Sequence, residues 1–222
     1  MCFSAEFSIN TFIFIVIGII LLYFRNYKYD HFLIPYLIFI STIQLGEYFI
    51  WSDIDCKNNL NILGNFIIIT SLYFQCFALI YGIYSLDPKL KYNISNINYL
   101  FSGIIIVLII NYINYINYIY NLSYKNTALC ITKYKSHLSW LITFNENDFI
   151  FNILYFLLPS MLLILKNFFI SFTLISFFYF ILLLSYYKFS AGKEWLSIWC
   201  LLGGSIPYVM LIIGYIDKYI RI

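Results

Sequence analysis

About seven apolar stretches of roughly 17 to 27 residues follow one another along this chain, separated by short polar breaks. An α-helix needs about 20 apolar residues to cross the hydrocarbon core of a bilayer. Helices also satisfy their own backbone hydrogen bonds, as lipid requires. The pattern therefore predicts an all-α integral membrane bundle of about seven transmembrane helices.

The predicted spans end at polar segments, among them Arg25–Asp30, Ser52–Asn59 and Asp87–Lys89, where Pro88 disfavours helix at the preceding residue. The shortest boundary is Lys166-Asn167. The longest break, 121–148, is expected to hold a short interfacial helix around Trp140. The seven spans are 7–24, 32–51, 60–86, 99–118, 149–165, 168–187 and 195–216, which make residues 1–222 a single polytopic membrane domain.

The composition narrows the classes of partner. Charged residues make up 10% of the chain, against about 25% in soluble proteins, so the lipid bilayer is the expected surrounding. The net charge of +3 is scattered and forms no basic stripe of the kind that binds nucleic acid. Cysteine and histidine occur without CxxC or HxxxH spacing, so neither a metal nor a cofactor is predicted. A small-molecule ligand or a protein partner stays open.

The Lys/Arg distribution gives an orientation. With seven spans, one side of the membrane carries seven basic residues and the other carries six, three of them in the long fourth loop. Because the positive-inside rule is weaker for long loops, we expect the N-terminus outside and the C-terminus in the cytoplasm.

One face of the predicted bundle gathers most of the chemically unusual residues. The N-terminus, the end of the second span, the fourth loop and the start of the seventh span share this face in any seven-span arrangement. Its residues are Cys2, Glu47, Trp51, Cys56, Cys130, His137, Trp140, Glu194, Trp195, Trp199 and Cys200.

Glu47 is the one acidic residue inside a predicted span. A charge in hydrocarbon costs a few kcal/mol, so such a residue usually faces the bundle interior and has a partner. Gln44, Glu47 and Trp51 are spaced to share a helical face. The site is predicted to bind a ligand or a proton there; a carboxyl that only bonds neighbouring helices is the alternative.

The seventh span opens with Glu194, Trp195, Ser197, Trp199 and Cys200. The two tryptophans are typical of an aromatic belt at the membrane interface. Glu194, Ser197 and Trp199 are nevertheless candidates for the same ligand or proton site, because their helical face could line a cavity.

Four of the five cysteines fall on the predicted site face, and Cys76 lies in mid-span. Four cysteines allow three pairings; Cys56 with Cys130 is the first expectation, and Cys2 with Cys200 would complete it. The alternative is a reactive thiol at Cys2 or Cys200, with His137 or Glu47 as its base.

The opening Met1-Cys2-Phe3-Ser4-Ala5 resembles an uncharacterised family of small polytopic membrane proteins that begin Met-Cys-Phe/Trp-Ser-Ala. Two further blocks resemble it: Gln-x-x-Glu-x-x-x-Trp from Gln44 to Trp51, and Ser-x-Trp-Cys from Ser197 to Cys200. The continuation Ala5-Glu6-Phe7-Ser8 departs from the family's pattern. The resemblance implies a polytopic helical fold and motif positions at Cys2, Glu47, Trp199 and Cys200, and it supplies no activity.

Three functions follow as hypotheses. The leading one is a non-enzymatic membrane protein that binds or moves a small ligand or a proton at Glu47. The second is a membrane enzyme with Cys2 or Cys200 as thiol nucleophile. The third is a structural protein whose motifs serve assembly.

Overall fold

The computed structural model describes residues 4–91, 102–106, 108–110, 112–113, 116, 132–134, 137–139, 162–189 and 203–220. Its long helices are α1 (Ala5–Arg25), α2 (Asp30–Ser52), α3 (Leu60–Ser85), α4 (Phe168–Phe189) and α5 (Ile206–Ile220). Within the described residues, α1, α2 and α3 are long and apolar enough to cross a membrane. Each matches its predicted span to within two residues at both ends. The described part of the chain is thus predominantly helical and suited to a lipid bilayer.

Helix α1 begins and ends where its sequence provides caps. The Ser4 hydroxyl oxygen accepts a hydrogen bond from the Phe7 amide at 3.1 Å, which satisfies one free N–H of the first turn. Asn26 has a left-handed backbone with φ of 49°, and its amide donates to the Leu22 carbonyl. These two caps explain why the helix begins at Ala5 and ends at Arg25.

Helices α2 and α3 form an antiparallel pair whose backbones touch at both ends. A Cβ added to Gly46 would lie 2.8 Å from the Gly64 carbonyl oxygen, and a Cβ on Gly82 would overlap the Phe32 carbonyl. Glycine at these positions lets the helices approach more closely than any side chain would allow. The pair is therefore the tightest unit of the described fold.

Helix α5 packs along α1 in the same direction. A Cβ on Gly18 would lie 2.7 Å from Pro207 Cβ, and the Phe14 and Tyr208 rings stack with centroids 4.2 Å apart. The Tyr208 hydroxyl donates to the Phe14 carbonyl at 2.7 Å. These contacts join the start of the chain to its last described helix.

The predicted seventh span, 195–216, contains a turn in its described part, and the described helix continues a few residues beyond the predicted end. Residues 204–205 form a turn, and α5 runs from Ile206 to Ile220. Pro207 explains the start, since proline has no N–H to donate and fits best in a first helical turn. Asp217, one residue beyond the predicted end, lies inside α5, and its carboxylate has partners in the fold.

The end of the predicted fifth span, 149–165, also differs from expectation. Residues 162–164 form a 3-10 turn, and Leu165 pairs with Lys91 in an antiparallel bridge. The break at Lys166-Asn167 is confirmed: the Asn167 side-chain oxygen accepts from the Ile170 amide at 3.1 Å and caps α4. The chain therefore turns sharply here instead of continuing as one long helix.

A short antiparallel hairpin, β1 (Thr132–Tyr134) with β2 (His137–Ser139), departs from the all-α prediction. Residues 137–139 are thus extended, where an interfacial helix was expected, and Trp140 lies outside the described residues. The predicted fourth span, 99–118, is helical at each described position, and the remainder of the fourth, fifth and seventh spans lies outside them.

Candidate functional site

Glu47 lies fully buried in α2, with no exposed surface, and so does Gln44 one turn before it. Trp51, one turn further on, is half-buried. All three residues have contacts in the fold, so the Glu47 carboxyl has neighbours that fix its position. A carboxyl buried in a membrane-length helix is costly unless polar groups compensate it, and it is the feature that most needs an explanation.

Two neighbouring helices bring buried polar groups to the depth of Glu47. Ser8 of α1 is fully buried and Asn65 of α3 is 2% exposed. Counted in residues, Ser8 lies as far before the α1–α2 turn as Glu47 lies after it, so the two residues have the same depth. Asn65 has this depth too, because it follows Gly64, which contacts Gly46 beside Glu47. Within the described chain, neither Ser8 Oγ nor Asn65 Oδ1 has a hydrogen-bond partner. Two free oxygens at the level of a buried carboxyl are suited to a proton, a water or a polar ligand.

The remaining predicted members of the Glu47 site lie outside the described residues. These are Cys2, Cys130, Glu194, Ser197, Trp199 and Cys200, and of His137 only the backbone is described. A Cβ on Gly203, the residue at which the chain becomes described again, would lie 3.7 Å from Ile40 Cδ1. Ile40 precedes Gln44 by one turn on the same face of α2.

Asp53 organises the connection between α2 and α3. Its carboxylate accepts hydrogen bonds from backbone amides of the loop and of the start of α3, including Lys57 at 2.8 Å and Leu60 at 3.0 Å. Burial alone raises the pKa of Asp53, but the amide donors outweigh it and hold the pKa below its ordinary value. The sequence analysis treated this segment only as a break between spans, although an acidic residue before a helix is a usual cap.

Cys56 lies in the loop that Asp53 holds. It is half-buried, and its backbone has a left-handed φ of 56°. Cys76, by contrast, is a free thiol, 1% exposed in the middle of α3. The two cysteines therefore occupy different environments, as their positions in the sequence predict.

A second polar cluster, which the sequence analysis missed, lies at the opposite end of the helices. We call this end, where α1 ends, α2 begins and α5 ends, the basic end. The Arg25 guanidinium pairs with the buried Asp30 carboxylate through two nitrogens. It also donates to the Leu211 carbonyl at 2.7 Å and to the Met210 carbonyl at 3.0 Å. Bidentate contacts of this kind fix geometry as well as contribute energy.

Glycine makes the contact between Arg25 and α5 possible. A Cβ on Gly214 would lie 2.6 Å from Arg25 Nη1 and 2.8 Å from Cζ. The guanidinium therefore occupies the space that any other residue's side chain would fill.

Asp217 of α5 joins three further segments at the basic end. Its carboxylate accepts from Asn167 Nδ2 at 2.8 Å and from the Tyr27 hydroxyl, and Lys28 Nζ lies 3.1 Å away. Burial raises the pKa of Asp217, which lies just beyond the predicted end of the seventh span. The signal for this cluster was an acidic residue at a span end, but its partners are up to 190 residues away in sequence.

The described residues contain no group of three or more histidine, cysteine, aspartate or glutamate side chains placed to hold a metal ion. Comparison with known proteins finds no matching family model, no matching curated protein and no matching solved structure.

Proposed function

We propose that this chain is a multi-pass membrane protein of about seven helical spans that binds or moves a proton or a small polar ligand at Glu47. The observation that carries the proposal is the full burial of the Glu47 carboxyl in a membrane-length helix. Buried ionisable groups in membrane spans usually serve ion or proton pathways or ligand contacts. Gln44 and Asn65 add polar atoms at the same depth, and Ser8 adds a hydroxyl.

The start of the predicted seventh span completes the proposed site. Glu194, Ser197 and Trp199 are the residues we assign to it, beside Gln44, Glu47 and Trp51. The approach of Gly203 to Ile40 supports this assignment, because Ile40 lies one turn before Gln44 on the same face of α2. The resemblance carried by the Met1–Ala5, Gln44–Trp51 and Ser197–Cys200 blocks is consistent with such a site and remains part of the proposal.

We infer that Cys56 is oxidised, with Cys130 as its proposed partner. The support is that Cys56 has a contact in the fold and is held in the loop that Asp53 organises. Such a bond would put the Glu47 end in an oxidising compartment.

The same orientation is supported by the charges at the two ends of the helices. Arg25, Lys28, Lys89, Lys91, Lys166 and Lys218 all belong to segments that meet at the basic end. We therefore propose a cytoplasmic basic end and an external N-terminus. A membrane-impermeant thiol reagent applied to intact cells should leave a Lys166→Cys variant unlabelled and label an Asp55→Cys variant. The reverse result would invert the topology.

Carbodiimide labelling tests the role of Glu47. An apolar carbodiimide reacts with a protonated carboxyl in a lipid environment, whereas a water-soluble one reaches exposed carboxylates. We expect the apolar reagent to add one mass increment to the Glu47 peptide, more at low pH than at high pH, and not in Glu47→Gln. The water-soluble reagent should instead label Asp55, whose side chain is 68% exposed. A folded protein in which Glu47 stays unmodified at every pH would show a structural carboxyl and overturn the proposal.

A further inference from the structure

The basic end carries more positive charge than the acidic side chains around it can neutralise. Apart from the buried Glu47, the opposite end of α1, α2 and α3 carries Glu6, Asp53 and Asp55 with Lys57 as its one basic residue. The two ends of these helices therefore differ in sign. The described segments that meet at the basic end contribute six basic residues, Arg25, Lys28, Lys89, Lys91, Lys166 and Lys218, and three acidic ones, Asp30, Asp87 and Asp217.

Three exposed lysines account for the excess. The charges of Arg25 and Lys28 are balanced by neighbouring aspartates, with which both side chains form ion pairs. By contrast, Lys89, Lys166 and Lys218 are exposed and form no ion pair within the described part of the chain. An exposed ammonium group that no carboxylate neutralises is available to an anion from outside the chain.

Backbone and side-chain contacts keep these three lysines on neighbouring segments. The Lys166 amide donates to the carbonyl of Leu90 at 2.9 Å, and Leu90 follows Lys89 in the chain. The side chain of Asn167, the residue after Lys166, donates to Asp217 at 2.8 Å, and Asp217 directly precedes the third lysine. The excess charge is therefore held together at one end of the helices.

A pair of exposed aromatic side chains follows Lys166 on α4. Phe168 and Phe172 are 75% and 58% exposed, and their rings stack with centroids 5.6 Å apart. Four residues of a helix rise by about 6 Å, so Phe172 lies deeper in the membrane than Phe168 by about that distance. The outer surface of α4 next to the lysine is thus aromatic and open to lipid.

The same arrangement occurs at the end of α5. Tyr215 and Tyr219 are 63% and 62% exposed, with ring centroids 4.5 Å apart. The Lys218 ammonium lies 5.3 Å from the centroid of the Tyr219 ring, which is within the range of a cation–π contact. Exposed tyrosines at the end of a span are typical of the membrane–water interface. The lysines therefore lie at the level of the lipid headgroups.

We propose that Lys166 with Phe168 and Phe172, and Lys218 with Tyr215 and Tyr219, form a binding surface for anionic phospholipids. The ammonium groups bind the headgroup phosphate, and the aromatic rings contact the upper part of the acyl chains. Basic residues at the headgroup level attract anionic lipids, and their effects add within the range of charge screening. The surface lies at the other end of the helices from Glu47 and does not depend on the function proposed for that site.

Charge and depth together select an anionic lipid over other partners. In a bilayer, acyl chains cover the exposed rings of α4 and α5 whatever headgroup they carry, so the rings set the depth of the surface. The lysines without carboxylate partners then favour a headgroup with net negative charge over a zwitterionic one. An acidic protein or a nucleic acid would match the charge, but it would leave the rings without a role.

Lipid retention, measured by native mass spectrometry, tests this surface. The full chain is reconstituted into vesicles of equal amounts of phosphatidylcholine and phosphatidylglycerol and extracted in mild detergent, and the lipids that stay bound are counted. We expect phosphatidylglycerol to be enriched over phosphatidylcholine. Lys166→Gln and Lys218→Gln should each lower this enrichment about fivefold, the factor for one basic residue at an anionic surface.

Matched variants separate the charge from the fold. Lys57→Gln removes a lysine that is 75% exposed at the opposite end of the helices, and it should leave the enrichment unchanged. Lys166→Arg keeps the positive charge and should also keep the enrichment. Glu47→Gln should have no effect on lipid retention, so a failure of the Glu47 proposal is distinguishable from a failure of this one.

Two outcomes would overturn the lipid surface directly. One is equal retention of the two lipids by the parent chain, and the other is an enrichment that survives the double variant Lys166→Gln/Lys218→Gln. A competition with glycerol phosphate, compared with sodium chloride at the same ionic strength, tests the source of the phosphate. Displacement of the lipid by glycerol phosphate alone would assign the lysines to a soluble phosphate compound and refute the proposal, whereas equal effects of the two salts would support it.

Discussion

Substituting Gly64 by alanine should separate α2 from α3. The new Cβ would lie 2.8 Å from Ile50 Cγ1 and 3.1 Å from the Ile50 amide nitrogen, and closer still to the Gly46 carbonyl. Two of these neighbours are backbone atoms, so the contact is relieved only if the helices move apart. Overpacking of this kind costs about 1 to 3 kcal/mol, and the better helix propensity of alanine returns up to about 1 kcal/mol. Because two of the clashes are with backbone, the upper part of the overpacking range applies. The net loss of stability should then be about 1 to 2 kcal/mol, or about a 5- to 30-fold larger open population.

The buried thiol of Cys76 provides the readout for this change. Cys76 is 1% exposed on the same helix, so it reacts with a maleimide only when α3 opens. Mass spectrometry of the Cys76 peptide gives its labelling rate in mild detergent, and that rate should rise in proportion to the open population.

Gly103 provides the matched control, because it is also helical and a Cβ there would meet nothing within 4 Å. Gly103→Ala should leave the Cys76 labelling rate unchanged or lower it slightly. Equal rates in Gly64→Ala and Gly103→Ala would refute the close approach of the two helices.

Three further predictions concern the basic end and the Asp53 loop. Gly214→Ala should displace the Arg25 guanidinium from its two α5 carbonyls at a cost of about 1.5 to 3 kcal/mol, as for other hydrogen bonds to charged groups. Thermal unfolding in detergent measures this loss of stability. Gly203→Ala is the control, because the nearest neighbour of its new Cβ would be 3.7 Å away. An equal melting temperature in both variants would contradict the contact between Arg25 and α5. Asp53→Asn should loosen the α2–α3 loop, because an amide cannot accept hydrogen bonds from every backbone N–H that the carboxylate serves. We expect faster proteolysis in this loop. An unchanged cleavage rate would argue against Asp53 as the residue that holds it. The folded-state pKa of Asp53 is lowered, so the stability that its carboxylate contributes is present above the ordinary aspartate pKa and is lost as pH falls through the lowered value. The protection of this loop from proteolysis should therefore decline in acid in the parent chain. Asp53→Asn should show no such decline.

The first three helices could be predicted from the sequence because both signals they need are local. Apolar length sets the body of each helix, and residues such as Ser4, Asn26 and Asp53 mark the ends. The burial of Gln44 and Glu47 follows from the same logic, since polar residues inside a span face the protein.

The basic end could not be predicted, because its contacts join residues that are far apart in the chain. Nothing near Arg25 in sequence indicates that it reaches the Leu211 carbonyl, and the one local hint, Gly214, has an effect only after the helices pack. The turn before α5 is a matter of backbone geometry rather than of hydropathy. Hydropathy continues through residues 195–216, whereas the turn at 204–205 depends on backbone geometry around Pro207.

The Arg25–Asp30 ion pair also bears on the order in which the chain enters a membrane. The two residues belong to the first turn between helices, so they can neutralise each other as soon as α1 and α2 leave the ribosome. We therefore expect the first hairpin to insert with the charges of Arg25 and Asp30 already paired. Helix α5 is made much later, and its carbonyls and Asp217 are the groups that the corner still needs. We therefore expect synthesis of α5 to complete the polar contacts of this corner, and truncation before α5 should leave an inserted but incomplete bundle.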